Sequence, residues 1–182
     1  MDEQQAIQKL KQGNISGLEF LVQNYQAKAL RTAYLITRDL GLAEDVVQES
    51  FIRAYHSIRS FDETRPFEPW FLRSVVNASV KMMQKLTKQV EVQADEDDGE
   101  WAQILSTDEF VEAQVEAGEF RCQLWDVMQK LSPRQRAVIV QRYYLEMSEK
   151  EMAARSGVAR GTIKWLLNAA RERLRTLLER SE

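Results

Sequence analysis

The chain has 182 residues, 44% of them hydrophobic and 29% charged, with only seven glycines and three prolines, a balance that favours long helices around a core over a turn-rich β fold. The single cysteine, Cys122, excludes an internal disulfide and fits a reducing cytoplasm, and no apolar run approaches the roughly 20 residues of a membrane span. The net charge of −3 hides a strong asymmetry, because residues 89–120 carry eleven acidic and no basic side chains within a body that is otherwise mildly basic.

The first block runs from about Glu3 to Gln89. Met1–Leu10 is polar and mixed in charge, unlike a secretory signal. Ala6 and Leu10, then Leu18, Leu21, Val22, Tyr25, Ala29, Ala33 and Ile36, recur at helical spacing. Gly13-Asn14 breaks the first helix, and Ser16 is placed to cap the second. Gly41 reads as the next break. Leu42, Val46, Phe51, Ala54 and Tyr55 mark a third helix, and Phe61–Pro69, with two prolines, reads as a loop. A fourth helix spans Trp70 to about Lys88, with Val75, Val76, Val80 and Met83 turned inward. Helices joined by short connections predict a compact bundle.

Residues 90–107 break the pattern. Their like-charge run and weak periodicity predict a flexible, solvated acidic linker. Helicity resumes near Asp108, with Val111, Val115, Phe120, Leu124, Val127, Met128 and Leu131 as one stripe. Ser132-Pro133 opens the next helix, which carries Ala137, Val138, Val140 and Tyr144. Ser148 and Glu151 have capping-box spacing, Gly157 ends the short helix that follows, and a last helix runs from about Arg160 to Glu179.

Enzymatic chemistry is not expected, since neither a Gly-rich phosphate loop nor a nucleophile elbow is present. The lone His56 and the lone Cys122 lie far apart and offer no Cys/His metal cluster. His56 reads as a helix-face residue and Cys122 as a small buried one. No cofactor or metal is implied.

The strongest local signal is SEKEMAARSGVARGTIKWLLNAARERLR from Ser148 to Arg175. A short helix, a tight turn and a longer basic helix form a helix-turn-helix layout. Met152, Ala153, Val158, Ile163 and Leu167 are its packing candidates. Arg160, Thr162, Lys164, Trp165, Asn168 and Arg171 are its candidate DNA contacts, for base edges or phosphates. The helix N-terminus favours a phosphate through its dipole and free N–H groups. An ordinary helical hairpin with a solvated basic face has the same pattern, so both readings stand at this level.

The longer segment SPRQRAVIVQRYYLEMSEKEMAARSGVARGTIKWLLNAARERLRTLL resembles region four of the extracytoplasmic-function sigma factors, bacterial transcription initiation factors of the sigma-70 superfamily. Independently, ALRTAYLITRDLGLAEDVVQESFIRAYHSIRSFD followed by EPWFLRSVVNASV resembles their region two. The resemblance spans nearly the whole chain except the linker. It implies an all-α fold of two small helical domains: a region-two bundle over 1–89, the acidic linker over 90–107 and a region-four helix-turn-helix over 108–182. It also implies a cytoplasmic factor, associated with the nucleoid in holoenzyme, that directs core RNA polymerase to promoters.

Carried over by motif, Asp45, Gln48, Glu49 and Arg53 would face the polymerase, through its beta and beta-prime subunits. Positions 45, 49 and 53 do fall on one helical face, as a merely solvated charged face also would. Phe61, Asp62, Phe67 and Trp70 would capture an unstacked base of the melted −10 element, which needs aromatic surface and a few polar groups. Trp70 and Phe61 serve equally well as core residues. Asn77 resembles the family's base-contacting Asn, and Arg73, Lys81, Lys85 and Lys88 would track phosphates. Region four would read the −35 element.

Two departures from the family pattern stand out. Trp165, Leu166, Leu167 and Ala169 replace the small and basic residues usual after GT-x-K, which points to altered −35 readout, with Trp165 against a thymine methyl or sugar, or to a protein-binding surface. Spaced lysines replace an Arg-rich run after Asn77. The family implies an anti-sigma partner, for which Leu166, Leu167 and the apolar faces of both domains are docking candidates. The acidic linker could mimic nucleic acid in the polymerase cleft or act as a solubilising tether. A stand-alone helix-turn-helix regulator and a sigma-mimicking adaptor remain the alternative readings.

Overall fold

A computed structural model describes residues 1–89 and 124–179. The expected acidic linker over 90–107, the restart of helix near Asp108, the apolar positions Val111, Val115 and Phe120, and Cys122 all lie outside the described residues. The contacts divide the chain into two compact units, Met1–Met82 and Met83–Glu182. All regular structure among the described residues is helical.

The first unit contains α1 (Glu3–Lys11), α2 (Ser16–Thr37), α3 (Leu40–Ser57), a single 3-10 turn (Ile58–Ser60) and the start of α4 (Phe67–Gln89). Helix α1 opens with a reciprocal cap: the Gln5 amide donates to Asp2 Oδ1 at 2.8 Å, and the Asp2 amide donates to Gln5 Oε1 at 3.2 Å. It buries Ala6, Ile7 and Leu10. Ser16 does not cap α2. The residue at the cap position is Ile15, and Asn14 Oδ1 instead accepts from the Ser16 amide at 3.0 Å, because an Asn side chain reaches a backbone N–H two residues on.

Gly41 does not make the next break. Helix α2 ends where Arg38 takes a left-handed conformation (φ 64°) and its amide donates to Tyr34 O. Asp39 then caps α3 by accepting from the Leu42 amide at 2.8 Å, which leaves Gly41 inside the first turn. The loop before α4 is also shorter than Phe61–Pro69. Phe67 and Glu68 are already helical and Pro69 sits in the first turn, where a proline costs little because first-turn N–H groups lack helical partners.

Leu21, Ile36, Val46, Ile58, Phe67 and Phe71 form the centre of this unit. Phe67 is the hub of an aromatic cluster, with ring centres 5.4 Å from Tyr25, 5.7 Å from Phe61, 5.5 Å from Trp70 and 5.6 Å from Phe71. Such pairs add about 0.5–1.5 kcal/mol each beyond the area they bury. Val75 and Val76 are buried as their spacing predicts, while Val80 and Met83 are half-buried.

The second unit holds a short helix over 124–129, here α5, then α6 (Pro133–Ile139), a π turn (Val140–Tyr144), α7 (Glu149–Ser156) and α8 (Arg160–Leu178). Within the α5 stripe, Val127, Met128 and Leu131 are buried, whereas Leu124 is exposed. Ser132 and Gln135 form a capping box with Pro133 in the first turn. Ser148 and Glu151 form another on α7, and Gly157 closes α7 at φ 71°. The π turn was not legible in the spacing. It is braced where Arg142 Nη1 donates to Met147 O at 3.1 Å, next to Glu146 at φ 52°. Met152, Ile163 and Leu167 are buried. Val158, expected to pack with them, is 39% exposed because it lies in the turn itself.

Candidate functional site

On α3, one exposed face carries Asp45, Gln48, Glu49 and Arg53. The helical repeat brings them together, and Glu49 and Arg53 form an ion pair at 2.5 Å. Ile52, which the sequence reading passed over, stands on the same face and is 50% exposed. An isoleucine at i+3 and i+4 from Glu49 and Gln48 was the available signal. His56 continues this face, exposed, with its ring 5.4 Å from that of Tyr55.

The segment between α3 and α4 separates its residues sharply. Phe61 is 4% exposed and Phe67 is 0% exposed, so both rings are core, and neither presents an open stacking surface. Trp70 is half-buried, 4.9 Å from the Phe61 ring. The exposed groups are instead Asp62, Thr64 and Arg65, with Glu63 half-buried. Asp62 Oδ1 accepts from the Thr64 amide at 3.0 Å and from its hydroxyl at 2.6 Å, and Asp62 pairs with Arg65 at 3.2 Å. This local turn explains why Thr64 and Arg65 belong with Asp62, and the Asp-x-Thr spacing was its signal. Hydrogen bonds from Thr64, with the nearby Arg65 and Lys11 charges, hold the Asp62 carboxyl below the usual carboxylate range. The Lys11 ammonium does the same to Glu63.

Along α4, Arg73, Asn77, Lys81 and Lys85 are exposed. Four-residue spacing makes them a slowly turning polar stripe, while Phe71, Leu72, Val75 and Val76 are buried. The helix continues through Lys88.

In the second unit, α8 exposes Arg160, Thr162, Lys164, Trp165 and Asn168. Trp165 is 68% exposed, the most exposed of the large hydrophobic side chains among the described residues. No side chain caps the start of α8, where Ala159 occupies the cap position. The Thr162 and Ile163 amides donate to Ala159 O, which leaves those of Arg160 and Gly161 without a capping side chain, at the end of the helix that favours an anion. Arg160 makes a long pair with Glu149 at 3.8 Å. Arg171 is half-buried, and its Nε donates to the hydroxyl of Tyr143 in the π turn. Leu167 is fully buried, which removes it as a docking residue, and Leu166 is half-buried. Tyr143 carries no signal in the sequence, since no local pattern announces a contact 28 residues away.

No helix among the described residues is long and apolar enough to cross a membrane.

Residues 21–89 match the family model for sigma-70 region 2, and residues 123–174 match that for sigma-70, region 4. The chain is 30% identical over 176 residues to the ECF RNA polymerase sigma factor SigW of Bacillus subtilis (strain 168), covering 94% of both proteins. It is 30% identical over 170 residues to the RNA polymerase sigma-E factor of Streptomyces antibioticus, covering 93% of this chain and 89% of that one. Among solved structures, CnrH in complex with the cytosolic domain of CnrY has a TM-score of 0.64 at 21% identity, over 99% of both chains. RpoE of Bartonella quintana, solved with the anti-sigma factor NepR, has a TM-score of 0.63 at 22% identity, over 88% of this chain and 96% of that one.

Proposed function

The chain belongs to the sigma-70 family as an extracytoplasmic-function sigma factor, and on that footing we propose how its surfaces divide the work of transcription initiation. It binds core RNA polymerase and directs it to specific promoters. Residues 1–89 act as region two and residues 108–182 as region four, with 90–107 between them. The exposed face of α3, with Asp45, Gln48, Glu49 and Arg53, docks on the polymerase. Ile52 supplies an apolar anchor within it, since interface energy concentrates in a few desolvated contacts inside a polar rim.

Promoter opening belongs to the turn over 61–66 and to α4. Asp62, Thr64 and Arg65 offer polar groups to an unstacked −10 base, and the half-buried Trp70 offers ring surface. Phe61 and Phe67 act from beneath, as the packed floor that holds the turn in shape. Arg73, Asn77, Lys81 and Lys85, continued by Lys88, follow the adjoining strand, with Asn77 at a base and the cations at phosphates. Region four reads the −35 element. The open amides of α8 and Arg160 meet a phosphate, while Thr162, Lys164, Trp165 and Asn168 meet base edges in the major groove. Arg171 adds a phosphate contact.

One observation carries this reading. In each matched segment a long helix buries its apolar stripe and lines its exposed face with side chains suited to phosphates and bases: Arg73, Asn77, Lys81 and Lys85 on α4, and Lys164, Trp165 and Asn168 on α8. The protein works in the cytoplasm, at the nucleoid when in holoenzyme, and performs no catalysis of its own. The solved relatives bound to CnrY and to the anti-sigma factor NepR support an anti-sigma partner for this chain too.

Transcription with core polymerase on a pooled library of promoter fragments tests the reading. Transcripts that require this chain, share upstream sequence and weaken with Asn77→Ala and Lys164→Ala are expected. Polymerase binding without initiation would leave the adaptor reading. DNA binding without polymerase dependence would leave the stand-alone regulator.

A further inference from the structure

Helix α1 has nine residues, too few to persist alone in water, so tertiary contacts hold it in place. One of these is unusually close. A Cβ on Gly17 would stand 2.2 Å from the Ala6 carbonyl oxygen, so the start of α2 and the backbone of α1 meet where only glycine fits. The matched region-two segment begins at residue 21, so α1 and this contact both lie outside it.

The two ends of α1 reach the two ends of one turn. At its last residue, Lys11 Nζ donates to Phe61 O at 2.8 Å and pairs with Glu63 at 2.7 Å. At its first residue, Glu3 Oε1 accepts from the Phe67 amide at 3.4 Å, while Glu3 Oε2 accepts from the Tyr25 hydroxyl. Phe61 and Phe67 bracket the exposed groups Asp62, Thr64 and Arg65. Eight residues of helix span about 12 Å, so α1 lies as a strut across the ends of the turn.

We propose that α1 is a brace for the 61–66 turn, and that Lys11 is a positioning residue for capture of the unstacked −10 base, acting through the turn backbone and Glu63. The proposal rests on the reading that this turn takes the base. The chemistry suits a positioning role. The Lys11–Glu63 pair is half-buried; its ammonium also fixes a backbone carbonyl at the turn's entry, and a base pocket built on a turn is only as ordered as its ends. Lysine reaches the Phe61 carbonyl and the Glu63 carboxylate together because its ammonium carries three donors.

The test uses the full chain with core polymerase. Four variants are compared with wild type: Lys11→Met, Lys11→Arg, Glu63→Gln and, within the turn, Asp62→Ala. The readouts are affinity of the holoenzyme for a single-stranded −10 oligonucleotide and permanganate reactivity of unpaired thymines on duplex promoter. Core affinity and thermal midpoint are followed alongside. Lys11→Met is expected to lose about tenfold in single-strand affinity, the worth of one charge-assisted hydrogen bond, and to open duplex more slowly, with core affinity unchanged. Lys11→Arg restores most of the loss, which a purely packing role for the stem would not require. Glu63→Gln removes the same pair from the carboxylate side and loses less, since the carbonyl contact remains, and it serves as the readout should Lys11→Met fail to fold. Asp62→Ala weakened with Lys11→Met and Glu63→Gln at wild-type level would overturn the brace alone. Asp62→Ala without effect would overturn the reading of the turn and the brace with it.

Discussion

Arg171 and Tyr143 form a two-part contact in the second unit: Arg171 Nε donates to the Tyr143 hydroxyl at 2.9 Å, and its guanidinium carbon lies 5.8 Å from the ring centre. Tyr143 is 58% exposed and sits in the π turn, so a residue of the preceding segment flanks the basic face of α8. We expect Tyr143→Ala to weaken −35 binding more than Tyr143→Phe, which keeps the ring and loses only the hydroxyl. Arg171→Ala should lower the slope of log affinity against log salt by about 1, the signature of one lost phosphate contact. An unchanged slope would make the pair an internal staple and remove Arg171 from the DNA surface.

Trp165 lies at the centre of the exposed face of α8 and is 68% exposed. Replacing it with Ala should leave stability within about 0.5 kcal/mol and change which −35 sequences are transcribed. Selection from a randomised −35 library reads the change. Identical sequence preferences for wild type and W165A would assign the indole to a protein partner.

Gly17 admits no side chain without movement, since the nearest atom to its Cβ is the Ala6 backbone oxygen. Gly17→Ala is expected to destabilise the first unit by about 1–3 kcal/mol, as overpacking does, seen as a lower urea midpoint. A neutral effect would show that α1 shifts freely on α2.

Glu146 holds φ 52° after the π turn, a conformation that costs a non-glycine residue about 1–2 kcal/mol. Glycine recovers this, less about 0.5–1 kcal/mol of added chain entropy. Glu146→Gly should therefore raise stability by about 0.5–1 kcal/mol in denaturant unfolding. By contrast, Ser148→Ala, which removes the cap on α7, should cost about 1 kcal/mol.

The Asp62 and Glu63 carboxyls titrate below the usual carboxylate range. A folded-state value depressed below the unfolded one means that each group helps hold the turn above the ordinary carboxylate range, and that this help fades as pH falls through the depressed values. Carboxyl-carbon NMR titration should separate the causes. Thr64→Val raises the Asp62 midpoint, because Thr64 supplies its largest contribution. Lys11→Met raises mainly that of Glu63. Equal shifts at both sites in either variant would contradict the assignment.

What was legible in the chain was local. The capping boxes at Ser132/Gln135 and Ser148/Glu151 each involve atoms three residues apart; the Ser148/Glu151 box and the Gly157 stop showed in the spelling, while at Ser132 the spelling gave the cap and the proline but not the Gln135 partner. The grouping of Asp45, Glu49 and Arg53 on α3 followed from the helical repeat, the candidates on α8 from the helix-turn-helix layout, and those on α4 from the family resemblance, which motif order supplied. Local spelling misled at Ser16 and Gly41, where Asn14 and Arg38-Asp39 did the work. At the first, Asn14 takes the Ser16 amide two residues on; at the second, Arg38 ends α2 in a left-handed conformation and Asp39 caps α3 at Leu42, so the boundary falls before Gly41.

By itself, then, the sequence determined the helices, most of their ends, the polar faces and the order of the two regions, because those depend on side chains within a turn or two of each other. Only the tertiary structure decided that Phe61 and Phe67 are floor and not open surface, that Lys11 grips a carbonyl 50 residues away, and that Tyr143 holds Arg171. These are facts about which distant atoms share a boundary with water. Burial and long-range hydrogen bonds are set by how whole helices pack, and no periodicity along one helix records what its neighbour places against it.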